Sequence, residues 1–334
     1  SHSDQWLNGN SETVLALIAE NPDPQTKREA LSNLLPRVAM YGDTAAVTGI
    51  LATGADLERR SVWNGTALMH AAERGLPGMV GALLKAGANA KDSEGRTAFF
   101  FGAGSGNEKV VKLLLDAGAD ANENDKYGDT PLMGAAAAGN PEVVALLLKN
   151  GARVNARNRR RQSALLSAAQ GGNGYGISEQ GRRPTKVPDE LIHRDIVVRM
   201  LLEAGADINA HGWDGETALF TLQDDVTREL LRHHAKLEAR DKVGQTPLIE
   251  TVSASIASLL IEAGANVNAH DKEGRTALIR AAENNYVDLL PVLLKAPGIR
   301  LDHRDKHGNT ALMAARKDNL DDCVHMLIAA GATQ

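Results

Sequence analysis

The sequence predicts an all-α fold, a solenoid of stacked helix-turn-helix units carrying β-hairpin fingers. Three observations predict it. First, T-A-L or T-P-L recurs at Thr66, Thr130, Thr217, Thr246, Thr276 and Thr310, with the variants Thr97-Ala98-Phe99 and Ser163-Ala164-Leu165 between them; successive spacings are 31, 33, 33, 54, 29, 30 and 34. Second, a Gly-Ala pair follows the Thr at one constant step in the regular units, from Thr66 to Gly87, Thr97 to Gly118, Thr130 to Gly151 and Thr310 to Gly331. Third, the step from that glycine to the next Thr is usually the same, as from Gly118 to Thr130 and from Gly264 to Thr276. A fixed period in this range marks a repeat array, so the number of domains cannot be taken from length alone.

Each part of the unit has a physical reason. The Thr or Ser at its start can cap a helix, its hydroxyl accepting from an otherwise unsatisfied backbone N–H. Pro131 and Pro247 fall in the first turn, where a missing N–H costs nothing. Small residues follow, as in Ala71-Ala72 and Ala135-Ala136, and let a second helix approach. That helix carries the large apolar stripe, as in Val143-Val144 and Leu146-Leu147-Leu148. Its glycine closes it in a left-handed cap, and the segment to the next Thr forms the finger. One unit alone cannot bury its stripe, so stability comes from stacking.

The array departs from its own ruler in three places. Counting backward puts a degenerate unit start at Asn33 and a glycine-equivalent position at Asn21, so residues 1–32 are expected to be a degenerate N-terminal cap, with Leu15, Leu17 and Ile18 as a short apolar face before the breaker Asn21-Pro22-Asp23-Pro24. Residues 33–309 are the array, and residues 310–334, with the polar Lys317, Asp318, Asp321, Asp322 and His325, are a C-terminal cap. The unit at Ser163 overruns the period before Thr217 is reached, which places an insertion at about 172–192. The next two units are short: His234 takes the glycine position early after Thr217, and Gly264 comes early after Thr246. A notch is therefore expected, with Leu222 and Val226 less covered and the inserted loop folding partly over it.

T-P-L-x-x-A-A with L-L-x-x-G-A-D-x-N at this period resembles the ankyrin repeat, over nearly the whole chain and about nine to ten units. The resemblance implies a non-enzymatic scaffold that holds a protein partner in a concave groove. The chain departs from the family at the His of T-P-L-H. Met69, Phe100, Met133, Leu166, Phe220, Ile249, Ile279 and Met313 stand there, and all are expected in the core.

Composition narrows the chemistry. A single cysteine, Cys323, leaves no internal disulfide and no Cys-rich metal site, and it falls on an apolar stripe, so a core role is expected. No run of about 18 apolar residues is present. No leader is visible, and an opening Ser1-His2-Ser3 suggests a fragment or a processed or tagged form. The expectation is a soluble monomer, with the cytoplasm ahead of other compartments. The glycine runs at 102–106 and 171–176 match no phosphate-cradling motif, no H-E-x-x-H or P-loop occurs, and Gly104-Ser105-Gly106 is not a nucleophile elbow. No catalytic residue, metal or cofactor is expected. The histidines His211, His270, His303 and His307 lie in the fingers, where the position six before each repeat Thr or Ser is a polar or basic column (Arg60, Lys91, Asn124, Arg157, His211, Arg240, His270 and Arg304) beside a recurring Asp (Asp92, Asp125, Asp241, Asp271 and Asp305). Both columns are expected to form finger-to-finger ladders.

Partner-binding candidates come from aromatics and charges at groove and finger positions, the residue types that most often anchor interfaces. They are Tyr41, Trp63, Glu73, Arg74, Phe101, Tyr127, Arg159, Arg160, Arg161 and Trp213. The row four residues after each Thr, from His70 to Ala314, is expected to be exposed. Net charge is −5, yet residues 153–199 hold ten Lys/Arg against four Asp/Glu. That local excess favours a protein partner with an acidic segment and makes nucleic acid a poor fit. The alternative is a small-anion or nucleotide sensor, with Trp63 stacking and the arginine finger gripping phosphate.

Overall fold

The computed structural model describes residues 23–171 and 193–333. The predicted insertion at 172–192 and the apolar face at Leu15–Ile18 lie outside them. The described residues form 17 helices and no regular strand. They divide into two compact units, residues 23–159 with 171 and 193, and residues 160–170 with 194–333.

The first unit holds four helix pairs: α1 (Pro24–Tyr41) with α2 (Thr44–Leu51), α3 (Ala67–Glu73) with α4 (Pro77–Lys85), α5 (Ala98–Ser105) with α6 (Glu108–Asp116), and α7 (Pro131–Ala138) with α8 (Pro141–Lys149). First helices stack on first helices, α1 on α3 on α5 on α7, and second on second. The expected caps form. Thr66, Thr97 and Thr130 each accept a backbone N–H from the first turn. Asn107 and Asn140 cap α6 and α8 and also donate to the carbonyls of Gly75 and Gly106 in the preceding repeats, at 3.0 and 2.9 Å. One side chain thus serves both helix start and repeat register.

The second unit contains α9 (Ala164–Gln170), α10 (Arg194–Glu203), α11 (Asp224–Arg232), α12 (Pro247–Glu250), α13 (Ala254–Glu262), α14 (Ala277–Glu283), α15 (Leu290–Leu294), α16 (Ala311–Lys317) and α17 (Asp321–Ala329). The second helices α10, α11, α13, α15 and α17 stack in series. The core is their stripe, as at Val197, Leu201, Val226, Leu230, Ile256, Leu260 and Cys323. Burial pushes the Cys323 thiol up, with the Asp322 charge adding to it.

Several expectations need correction. No unit starts at Asn33: α1 runs unbroken across it, because Asp23 caps the helix from the breaker and Pro24 fits its first turn. Thr217 caps nothing. Residues 217–220 form a turn, and α12 is a single turn, so the short repeats lose their first helix while their second helices stay whole. Leu222 is consequently 69% exposed, as expected, but Val226 is buried because it sits on the intact α11. His234 does take the glycine position, in the left-handed region at φ 60°. At the T-P-L-H histidine position, Met69, Met133, Leu166, Ile249 and Ile279 are core, whereas Phe100 and Phe220 are half-buried and Met313 is exposed. The row four after the Thr is not an exposed row: His70, Ser167, Thr221 and Ala314 are buried.

Candidate functional site

The fingers are tight hairpin turns; among the described residues the only strand-type pairings are the isolated bridges His211–Thr217 and His270–Thr276. The recurring Asp closes its own finger and does not bridge to the next. Asp92 Oδ1 accepts from the N–H groups of Glu94 and Arg96, and Asp125, Asp241, Asp271 and Asp305 repeat the pattern. The basic column does bridge: Arg60 donates to Lys91 O and Arg240 to His270 O, at 2.5 and 2.7 Å. A backbone ladder at the tips adds to this. In the first unit Lys126 N donates to Glu94 O and Arg159 N to Tyr127 O; in the second, Trp213 N donates to Arg160 O, Lys242 N to Asp214 O, Lys272 N to Val243 O and Lys306 N to Glu273 O, all within 2.7–3.0 Å. Finger tips are therefore fixed relative to their neighbours, which a recognition surface needs.

The first unit brings its candidates together in links. Arg74 donates to the carbonyl of Met40 at 2.6 Å, beside the half-exposed Tyr41. Trp63 N–H donates to Ser61 Oγ, which meets His70 Nε2 at 2.9 Å, and His70 Nδ1 lies 3.7 Å from Glu73. That last separation is too long for a hydrogen bond. The Ser61–His70–Glu73 chain therefore ties a finger to α3 and does not relay a proton. Gly65 makes room for it, since a Cβ there would come within 2.8 Å of the His70 ring.

Phe101 and Tyr127 are joined by a chain of charges. The Arg96 guanidinium lies 4.9 Å from the Phe101 ring centroid and 3.1 Å from Glu94, Glu94 lies 3.3 Å from Lys126 Nζ, and Lys126 Nζ lies 4.8 Å from the Tyr127 ring. Phe101 also meets Phe100 edge-on at 6.0 Å. A hydrogen bond with the Tyr127 side chain, and then the Glu94 pairing, hold the Lys126 ammonium above the ordinary lysine value. Residues Glu94, Arg96 and Lys126 were missed in the sequence. The signal was present: the ruler places Lys126, Arg159, Lys242, Lys272 and Lys306 at one finger-tip position, four before each Thr or Ser.

In the second unit Trp213 is 66% exposed. Lys242 Nζ sits 3.3 Å from its ring centroid and 3.2 Å from Asp214. Arg160 and Arg161 are exposed on the preceding finger. Arg161 has φ 59°, at a position two before the Thr or Ser where six of the eight fingers have a positive-φ glycine. A bulky L-residue in this region costs roughly 1–2 kcal/mol. Deeper in the groove, burial pushes the Glu216 carboxyl up, with Glu250 adding to it, and burial with Asp241 pushes Glu250 up against the opposing pull of Arg280. A further cavity of about 410 Å³ is lined by Glu273, Arg275, Glu283, Asp305, His307 and Lys317. Within it Arg275 lies 3.8 Å from Glu283, and it also pairs with Asp271 at 3.0 Å. Among the described residues no three His, Cys, Asp or Glu form a metal-holding cluster, and no helix is long and apolar enough to cross a membrane.

The repeat architecture has its counterpart in a family comparison: the profile for ankyrin repeats, three copies, matches residues 35–125, 117–177, 220–305 and 253–334. The chain belongs to the ankyrin-repeat family. Ankyrin repeats are generally protein-interaction modules that work through the extended concave surface stacking creates. No match to a curated protein was found.

Proposed function

We propose that this ankyrin-repeat protein is a non-enzymatic scaffold that holds a protein partner in its concave groove and on its finger tips. The observation that supports this most is the linked chain Phe101–Arg96–Glu94–Lys126–Tyr127, which runs from the groove of the first unit to a finger tip. Ring faces and charges already held in place lose little freedom on binding, so their contact energy is realised as affinity. Tyr41 with Arg74, and Trp63 with Glu73, extend the same surface toward α1, and Arg159 extends it at the opposite finger. Arg160, Arg161 and Trp213 belong to the second unit.

The nucleotide-sensor alternative has weaker support. Trp63 and Arg159 stand on fingers separated by two others, so stacking and phosphate contact do not fall on one small ligand. The test is affinity capture from the source cell with native protein and with Phe101→Ala and Tyr127→Ala. A protein that is captured by native chain and lost with both variants, while their helical melts stay within about 0.5 kcal/mol of native, is the expected result. A partner retained by both variants would remove the groove from the account. Capture of nucleotide in place of protein would favour the alternative.

A further inference from the structure

We propose that the groove of the second unit takes an arginine side chain of a partner segment at Glu216, Gln245 and Glu250, where two consecutive repeats lack the end of their first helix. This rests on the protein-binding reading and names the chemistry of one segment bound.

The first argument is a contact that these two repeats have lost. In the complete repeats of this unit, the residue just before the Thr or Ser meets the residue seven after it, at the end of the first helix. Gln162 donates to Gln170 at 3.2 Å, Arg275 lies 3.8 Å from Glu283, and Asn309 lines the same cavity as Lys317. In the repeats at Thr217 and Thr246 the first helix stops too early for this. Asp224, seven after Thr217, already begins α11, and Ser253, seven after Thr246, caps α13. Glu216 and Gln245 therefore hold the groove position without the side chain that meets it elsewhere. Gln245 is 6% exposed, and among the described residues its side-chain amide makes no hydrogen bond. Glu216 accepts only from Gln170, at the limiting distance of 3.5 Å. Burying an amide without a hydrogen bond is costly, so a group in this state calls for a partner.

The second argument is charge. Glu216 and Glu250 are half-buried, and neither forms an ion pair among the described residues. Burial raises both carboxyls, and Glu250 adds to the effect at Glu216, so the two share one neighbourhood. Asp241, whose carboxylate accepts from backbone N–H groups of its own finger, adds negative potential to both. Asp214, the remaining contributor at Glu216, is already paired with Lys242 at 3.2 Å. The cation that opposes the charge of Glu250 is Arg280, whose Nε is buried with no hydrogen-bond partner. Two carboxylates against one guanidinium leave a negative charge that an incoming cation neutralises. A guanidinium suits the place better than an ammonium: its planar fork can donate to both carboxylates and to the Gln245 amide oxygen, and it is weakly hydrated. The same two repeats also present apolar surface. The residue before the second-helix cap is Gly75, Gly106 or Gly139 in the first unit, and Leu222 or Val252 here, 69% and 49% exposed. The segment that carries the arginine therefore carries an apolar neighbour.

The experiment is fluorescence anisotropy on the full chain with a labelled pool of peptides of about ten residues, each with a central Arg, an adjacent Leu and randomised flanks. Matched pools carry Lys or Gln in place of the Arg. The expected order of binding is Arg, then Lys, then Gln. Glu250→Gln should weaken binding of the Arg pool about tenfold while raising the melting temperature, because it removes a half-buried charge. Glu216→Gln should behave alike. Equal binding of the Arg and Gln pools, unchanged binding in both variants, or a lowered melting temperature in both would overturn the proposal. Calorimetric binding of Ca²⁺ that Glu250→Gln abolishes would make the carboxylates a metal site and overturn it too. Phe101→Ala should leave peptide binding intact. Native protein that ignores the Arg pool but captures a Phe101-dependent partner would sink this inference alone and leave the reading of the first unit standing.

Discussion

In the first unit, each of the three fingers that ends in Thr leads into a first helix of seven or eight residues. In the second, the finger at Thr217 leads into a turn and the one at Thr246 into four helical residues. The second helices do not register the loss: α11 and α13 keep nine residues each and bury the same stripe as α6 and α8. Finger-tip ladders also continue in both units. The array is therefore held by its second helices and its fingers, and the first helix is the part a repeat can shorten. The cost appears as exposed apolar surface, at Leu222 and Val252, and as half-buried carboxylates at Glu216 and Glu250. Thr221 offsets some of it by donating to Ala169 O at 2.8 Å, a bond between repeats in place of helix packing.

The comparison breaks first at the core. Leu147→Ala in α8 and Leu230→Ala in α11 should each cost about 2–5 kcal/mol, whereas Leu222→Ala should change stability by under about 0.5 kcal/mol. Denaturant melts of the three variants check this; a mild effect at Leu230 would mean that losing the first helix loosens the second after all. Finger backbones give the next effect. Gly128→Ala puts a Cβ 3.2 Å from Asn158 Cα in a left-handed conformation and should cost roughly 1–2 kcal/mol. Arg161→Gly, its counterpart in the second unit, should stabilise by a net ~0.5 kcal/mol, since glycine's greater freedom in the unfolded chain offsets part of the gain. Thermal melts should move in opposite directions. Cap loss is smaller than the core effect: Thr130→Ala should cost about 1 kcal/mol, readable as faster amide exchange in α7.

The smallest expected effect is on pH. Burial is the chief cause that holds the Glu216 and Glu250 carboxyls above their ordinary value of 4.5 in the folded chain. A raised carboxyl binds its proton more tightly when folded, so its stabilising effect is full below the unfolded pKa and is lost as pH rises through the folded one. Stability of the second unit should therefore rise modestly on acidification from neutral pH toward 4.5. Glu250→Gln should flatten that slope and melt slightly higher at pH 7. An unchanged slope would mean that solvent reaches these carboxyls freely.

The ruler made most of the fold legible, because a Thr cap, an apolar stripe and a glycine stop are local signals repeated eight times. It failed where local chemistry overrode the count. Asp23 and Pro24 start a helix that runs through Asn33. His70 is buried and meets Ser61, in a row that looked exposed because its residues are polar. The candidate aromatics were readable as types at positions. Lys126 and Lys242 were readable as a column, but their pairings with Glu94 and Trp213 were not, since these join consecutive fingers about thirty residues apart.

A protein partner docked on the groove and finger-tip face of the first unit would lie within reach of Tyr127. Site-specific photocrosslinking tests it most directly, with a photoreactive residue replacing Tyr127 on that face or Lys112, exposed on the second helix α6, in the same unit. The expected result is one crosslinked protein from position 127, lost when Phe101→Ala is added, and none from position 112. Crosslinking at 112 alone, or equally at both positions, would contradict the account.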